Sequence, residues 1–205
     1  MTKKTFALDR LVGHETSKSY QYLIDSGFMQ RYFSGDNIIE VGYAGRGGCV
    51  PITENAIGVD SGYPGYDGLH LPFQDQSQDT VYSSHCLEHI PNSHAALAEW
   101  FRVLKEGGYL IIVVPHQQLY EKKMALPSTY APYDHVKFYM PGNLLKEIEE
   151  ALPFGEWRLR GIYDNDMGFD YSLSAFQHSV GCYEIVAIIQ RIHKYPYIDQ
   201  MLTRQ

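Results

Sequence analysis

A chain of 205 residues suits one domain and can bury a substantial core. Its formal charge of −7, with no block of Lys or Arg, argues against duplex nucleic acid or an anionic membrane as the main partner. Cys49, Cys86 and Cys182 are odd in number and lack CxxC spacing, which fits reduced thiols of a cytoplasmic protein and not a disulfide framework.

The first residues, Met1-Thr-Lys-Lys-Thr5, lead into no apolar stretch, so no signal peptide is expected. The longest apolar run, Leu110 to Val114, is too short to span a bilayer. Residues 16–26 place Tyr20, Leu23 and Ile24 at helical spacing, with Thr16 or Ser17 as a cap and Gly27 as a stop. A short helical or turn segment follows at 28–33. This arm, residues 1–35, is expected to pack on a sheet; the sharper reading is a lid that brings Tyr20 or Tyr22 to a ligand.

The organising stretch is Asn37 to Gly48. An apolar run over 37–41 reads as a buried strand, and Gly42, Gly45, Gly47 and Gly48 follow it almost without interruption. Glycines at a strand end let backbone approach a ligand without side chains in the way. The crossover that follows contains Pro51 and has room for one or two helical turns at most. A second strand at 56–60 ends in Asp60, well placed to accept the hydroxyls of a ribose. Together these features point to a nucleoside-containing cofactor across the sheet edge.

Ser61 to Gly68 is a loop by its Gly and Pro content, Leu69-His-Leu-Pro-Phe73 follows, and 74–79 is a polar turn. Residues 80–84 read as a strand. A helix is expected over 92–104, with Ala96, Leu97, Trp100, Phe101 and Leu104 on one face and Lys105-Glu-Gly-Gly108 as its stop. Residues 109–114 form a wholly apolar strand, and 115–141 is a long loop. A helix at 143–152 and strands at 157–163 and 183–192 complete the chain, with an aromatic and polar insertion at 164–181 between those strands. Alternating elements of this kind make an α/β, Rossmann-like doubly wound sheet, mostly parallel with an antiparallel last strand. The glycine loop, Asp60 and Ser83-Ser-His85 all fall at carboxyl ends of strands, where such sheets hold cofactors.

These residues resemble the class I S-adenosylmethionine-dependent methyltransferases, in particular the small-molecule "type 11" group. The resemblance covers roughly residues 37–150. It rests on Glu40-Val-Gly42 with its loop, Gly58-Val-Asp60, Leu71-Pro-Phe73, Ser83-Ser-His-Cys-Leu-Glu-His-Ile90 and Phe101-Arg-Val-Leu-Lys-Glu-Gly-Gly108. It implies S-adenosyl-L-methionine as the cofactor. Glu40 and Gly42, with Tyr43 and Ala44 in the loop, would hold its amino-acid end, and Asp60 with Ser61 its ribose. Asp67 would meet the adenine amino group, with Gly68 and Leu69 lending backbone, and Ser84 and His85 would face the methionine part. Ala44 and the shortened crossover depart from the family pattern.

A hydroxyl acceptor benefits from a general base, and His116 and His135 are the candidates, on the long loop at the same edge. His85 and His89, four apart, would share a helical face with Cys86, Glu88 and His94 nearby, so zinc is considered; the resemblance accounts for Leu87-Glu-His89 as fold structure, and no metal is expected. Tyr43, Tyr63, Tyr66, Tyr130, Tyr133, Tyr163 and Tyr171 in edge loops suit stacking on a sugar or flat ring, and Lys122, Lys123 and Lys137 could meet a phosphate. The leading expectation is O-methylation of a small-molecule or saccharide-type acceptor, with specificity in 116–141 and 164–181. The alternatives are C-methylation of a quinone-like ring, or a cofactor-binding partner subunit without chemistry of its own.

Overall fold

The computed structural model describes residues 4–43, 45–121, 134–174 and 177–195. An arm of three short helices, α1 (His14–Ser17), α2 (Tyr20–Asp25) and α3 (Phe28–Tyr32), leads into β1 (Ile38–Val41) and β2 (Ala56–Val59). Then come β3 (Gln78–Ser84), α4 (Ser93–Arg102), β4 (Leu104–Pro115), α5 (Pro141–Ala151), β5 (Trp157–Asn165) and β6 (Glu184–Arg191). The sheet order is β2-β1-β3-β4-β6-β5. Strands β2, β1, β3 and β4 pair in parallel, while β6 runs antiparallel to both its neighbours. The expected sheet, with its antiparallel last strand, is therefore the one observed. So is the shortened crossover: among the described residues between β1 and β2 there is only one 3₁₀ turn, Arg46–Gly48.

Side-chain alternation along the strands divides the core in two. Ile39, Val41, Val81, Leu110, Ile112 and Val114 face α4 and α5, where Leu97, Trp100 and Leu144 are fully buried. Ile38, Tyr82, Ile111 and Val113 face the arm and meet Tyr20, Met29 and Phe33. Glu40 lies two residues beyond Ile38, so its side chain falls on the arm side. The same parity brings Ser84 beside Thr16, whose hydroxyl is 3.5 Å from the serine Oγ.

Several element boundaries differ from the sequence reading. The helix expected over 16–26 is broken: Ser17 Oγ donates to His14 O at 2.6 Å, and Ser19 adopts φ −117°, ψ 0° between α1 and α2. Serine hydroxyls compete for helix carbonyls in this way. Strand β4 begins at Leu104, earlier than the glycine stop suggested, because Leu104 already pairs with Gln78. The segment 85–89 is not a helical face. His85 has φ +50°, and a single 3₁₀ turn, Leu87–His89, precedes α4. Asn92 caps that helix, accepting from Ala95 N at 3.3 Å.

The Leu69–Phe73 strap is held to the sheet by α4. Glu99 accepts from Leu71 N at 2.7 Å, and Arg102 donates to the carbonyls of Leu71 and Phe73 at 3.1 and 3.0 Å. No helix among the described residues is long and apolar enough to cross a membrane.

Candidate functional site

A cavity of about 260 Å³ opens where β1 and β3 end. Glu40, Gly42, Tyr43 and Gly45 line it from the first strand and its loop, Ser84 and His85 from β3, and residues 13–16 from the arm. Gly42 cannot be replaced cheaply. It has φ +87°, and a Cβ there would sit 2.5 Å from Cys86 Cβ. The loop turns through left-handed glycines at 45, 47 and 48, which is the conformation this run of residues allows at no steric cost.

Glu40 is the buried anion of this cavity. Its Oε2 accepts from Ile52 N at 2.6 Å. Burial pushes its pKa up to about 7, against the opposing pull of the Ile52 N–H and the Arg10 charge. Arg10 itself pins the crossover, donating to Pro51 O at 2.6 Å and Thr53 O at 2.9 Å. A buried carboxylate short of counter-charge, next to a glycine that leaves room for backbone approach, fits the ammonium end of a bound amino acid.

Tyr43 lies flat against β2 and its hydroxyl donates to Cys49 O. A Cβ on Gly58 would stand 2.0 Å from the Tyr43 ring. Gly58→Ala should therefore displace the ring from the cavity wall, costing about 1–3 kcal/mol in a urea titration and weakening ligand binding in the same protein.

Asp60 accepts from Ser61 N at 2.6 Å through Oδ1, and Oδ2 has no hydrogen bond among the described residues. Asp60 and Ser61 follow Val59, whose carbonyl accepts from Gly42 N at 2.8 Å, so the two strand ends are tied together. Asp67 sits apart. Its Oδ1 accepts from Leu69 N and His70 N at 2.9 and 2.7 Å, and its Oδ2 lies 2.8 Å from His70 Nδ1. Both oxygens, and the Leu69 N–H expected to serve the adenine, are spent within the loop. Asp60, Ser61, Asp67, Gly68 and Leu69 do not line the cavity. Ala44 lies outside the described residues.

His85 stands at the mouth of the cavity between three carboxylates. Its Nε2 is 3.1 Å from Glu184 Oε1, and its Nδ1 is 3.7 Å from Glu88 Oε1. Burial disfavours the charged ring, but the Glu184 hydrogen bond and the Glu88 and Glu15 charges outweigh it and hold its pKa above the usual imidazole value. Glu184 is buried and also accepts from Asn165 Nδ2 at 2.7 Å. Glu15 is bonded to Lys18 at 2.6 Å and to the Tyr183 hydroxyl at 2.8 Å. Burial works against its charge too, yet the Lys18 and Tyr183 bonds and nearby His85 bring its pKa down to about 2.

The two histidines expected as bases are placed differently. His116 is buried, and its Nδ1 accepts from Gln118 N and Leu119 N at 3.1 and 3.3 Å. Its ring holds the turn after β4, and burial lowers its pKa. His135 is buried with Nδ1 2.6 Å from Glu121 Oε1. Neither lines the cavity. The arm does reach it, but through residues 13–16; Tyr20 donates to Ile52 O within the core, and Tyr22 points outward. Lys137 bonds Ser93 and Glu147 and is not held for a phosphate. Tyr63 and Tyr66 pack on the core, and Tyr171 donates to Asp166. Lys122, Lys123, Tyr130 and Tyr133 lie outside the described residues. Glu15 and Glu184 go unnoticed in the sequence; for Glu184 the available signal is a charge directly before the apolar run Ile185 to Ile189 of β6.

The six-stranded sheet is that of the class I methyltransferase architecture. The S-adenosylmethionine-dependent methyltransferase of Mesorhizobium loti superposes with a TM-score of 0.56 at 12% identity, covering 87% of this chain and all of that one. Residues 60–112 match the family model described as a methyltransferase domain. Two curated relatives named demethylmenaquinone methyltransferase align over part of the chain. The Thermobifida fusca protein is 40% identical over 75 residues, 37% of this chain and 29% of its own. The Staphylococcus haemolyticus protein is 32% identical over 101 residues, 48% of this chain and 38% of its own. These alignments thus span well under half of either relative. The resemblance to the class I S-adenosylmethionine-dependent methyltransferases stands, and the matched methyltransferase domain implies S-adenosyl-L-methionine as cofactor.

Proposed function

We propose that this chain transfers the methyl group of S-adenosylmethionine to a hydroxyl of a small-molecule or saccharide-type acceptor. The observation that carries the reading is the convergence of Glu40, Gly42, Ser84 and His85 on one cavity. When bound, S-adenosylmethionine supplies a methyl on a good leaving group, so alignment of the acceptor accounts for much of the acceleration. Glu40 would hold the ammonium and Asp60 Oδ2 a ribose hydroxyl. Glu184 orients His85 through Nε2, which leaves Nδ1 as the atom to take the acceptor proton as its oxygen attacks. An imidazole backed by a buried carboxylate is a stronger base than a free one once neutral. We assign His85 this role in place of His116 and His135, which do not line the cavity.

A second reading, C-methylation of a quinone-like ring, draws support from the names of the partial relatives. Incubation with S-adenosylmethionine carrying a 13C methyl, against sugar, phenol and quinol panels, separates the two. The methyl carbon of an ether and that of a ring carbon resonate far apart. An oxygen-bound methyl is expected. Product labelled only at carbon would replace the first reading by the second, and no calorimetric heat with S-adenosylhomocysteine would remove both.

A further inference from the structure

Beyond the methyl-transfer cavity, we infer that Glu88, His89 and His135 form a binding site for a divalent transition-metal ion of the zinc class. One potential ligand atom from each residue lies within 4.8 Å of the other two. Glu88 is fully buried, and neither carboxylate oxygen has a hydrogen-bond partner among the described residues. The imidazole nitrogens His85 Nδ1 and His89 Nε2 stand 3.7 and 3.8 Å from Oε1, beyond hydrogen-bond reach. A buried carboxylate left so is costly unless something cationic reaches it. Protonation would remove its charge but still leave a buried hydroxyl and carbonyl without partners.

The two imidazoles are arranged as metal ligands are. His89 Nδ1 lies 3.1 Å from Asp134 O, and His135 Nδ1 lies 2.6 Å from Glu121 Oε1. Each acceptor fixes the proton on Nδ1 and leaves the lone pair on Nε2. A carbonyl or carboxylate behind the ring is the usual device for orienting a ligating histidine. The rings meet edge to face at 4.7 Å. Backbone bonds from Val136 N and Lys137 N to Glu88 O, at 2.9 and 3.1 Å, fix the two segments together. Two imidazoles and a carboxylate are the donor set of three-ligand zinc sites with an open position. Bonds of about 2.0–2.2 Å require donors closer than the 3.8 Å of Glu88 and His89 and the 4.8 Å that bounds the set, so an ion would have to draw these side chains together. The half-exposed His89 gives the ion a way in.

The neighbouring group of Glu15, His85 and Glu184 has similar spacing but lacks this character. Its carboxylates are already bonded to Lys18, Tyr183, Asn165 and His85. The ion would clip residue 135, which follows the long segment after β4, onto the turn after β3.

The test uses the full chain stripped with a chelator and titrated with Co²⁺, then with Zn²⁺ in competition. One Co²⁺ per chain, with visible absorption bands of a low-coordinate site bleached by Zn²⁺, is expected. His89→Gln and His135→Gln should each weaken Zn²⁺ binding by at least tenfold, and His94→Gln should leave it unchanged. A Zn²⁺-induced rise in Tm should be lost in His89→Gln, a half-exposed position whose substitution leaves the core packing in place. No stoichiometric Co²⁺ spectrum in the unsubstituted chain would overturn the site, as would equal Zn²⁺ affinity in both variants. Since no arm of the test uses turnover, its failure leaves the methyl-transfer reading untouched.

Discussion

His85→Asn should lower kcat by roughly 10²–10⁴-fold, the usual contribution of a positioned acid–base group. The dissociation constant for S-adenosylhomocysteine should change little, because Glu40 and the glycine loop remain. Asparagine is the apt substitution. His85 has φ +50°, and asparagine enters that left-handed region more readily than most residues. The backbone at the end of β3 is thus kept while the base is removed. Glu184→Gln is the companion variant. It keeps one of the two acceptor oxygens that now serve Asn165 Nδ2 and His85 Nε2 and loses the charge behind the ring, while the imidazole itself stays, so its kcat should fall by less. Single-turnover rates with saturating cofactor read the chemical step directly. Full turnover in His85→Asn with unchanged Tm would reject His85 as the base.

That pair of residues shows what the sequence could and could not disclose. That Glu40, Gly42 and Ser84 line one cavity is legible because each stands where an apolar strand ends, and a strand end is a local pattern. The absent crossover helix was legible from Pro51 and a short interval. Glu184 was not, because it meets His85 only through the antiparallel register that sets it opposite Pro115. Nothing near residue 184 in the chain announces that partner. His116 misled for the opposite reason. Its place at the end of β4 was read correctly, but its Nδ1 closes a turn with two backbone N–H groups, and composition does not encode that choice. Asp67 was likewise found in the loop after Asp60, yet it turns inward on Leu69 and His70. His89 and His135 come from segments joined through Glu88 O, a contact that no helical spacing would reveal.

On the proposed reading, the Glu40 carboxyl should make cofactor affinity depend on pH. In the unliganded protein its pKa is raised by burial to about 7, and a bound ammonium would favour the ionised form. The ligand therefore selects the deprotonated protein. Affinity should rise with pH up to about 7 and level off above it, and binding at pH 7 should release roughly half a proton. Calorimetry in two buffers of different ionisation enthalpy measures that release. Glu40→Gln should abolish the dependence and weaken binding about 10–100-fold, since hydrogen bonds to a charged partner contribute ~1.5–3 kcal/mol. Stability should move the other way. A carboxyl whose folded pKa lies above its unfolded value destabilises the fold as pH rises from about 4.5 through about 7. Above that range the Gln variant, which can still accept from Ile52 N, should be the more stable unliganded protein, by up to roughly 3 kcal/mol. A variant that bound the cofactor as tightly as the parent, or that lost stability at pH 8, would show that Glu40 serves the crossover and not the ligand.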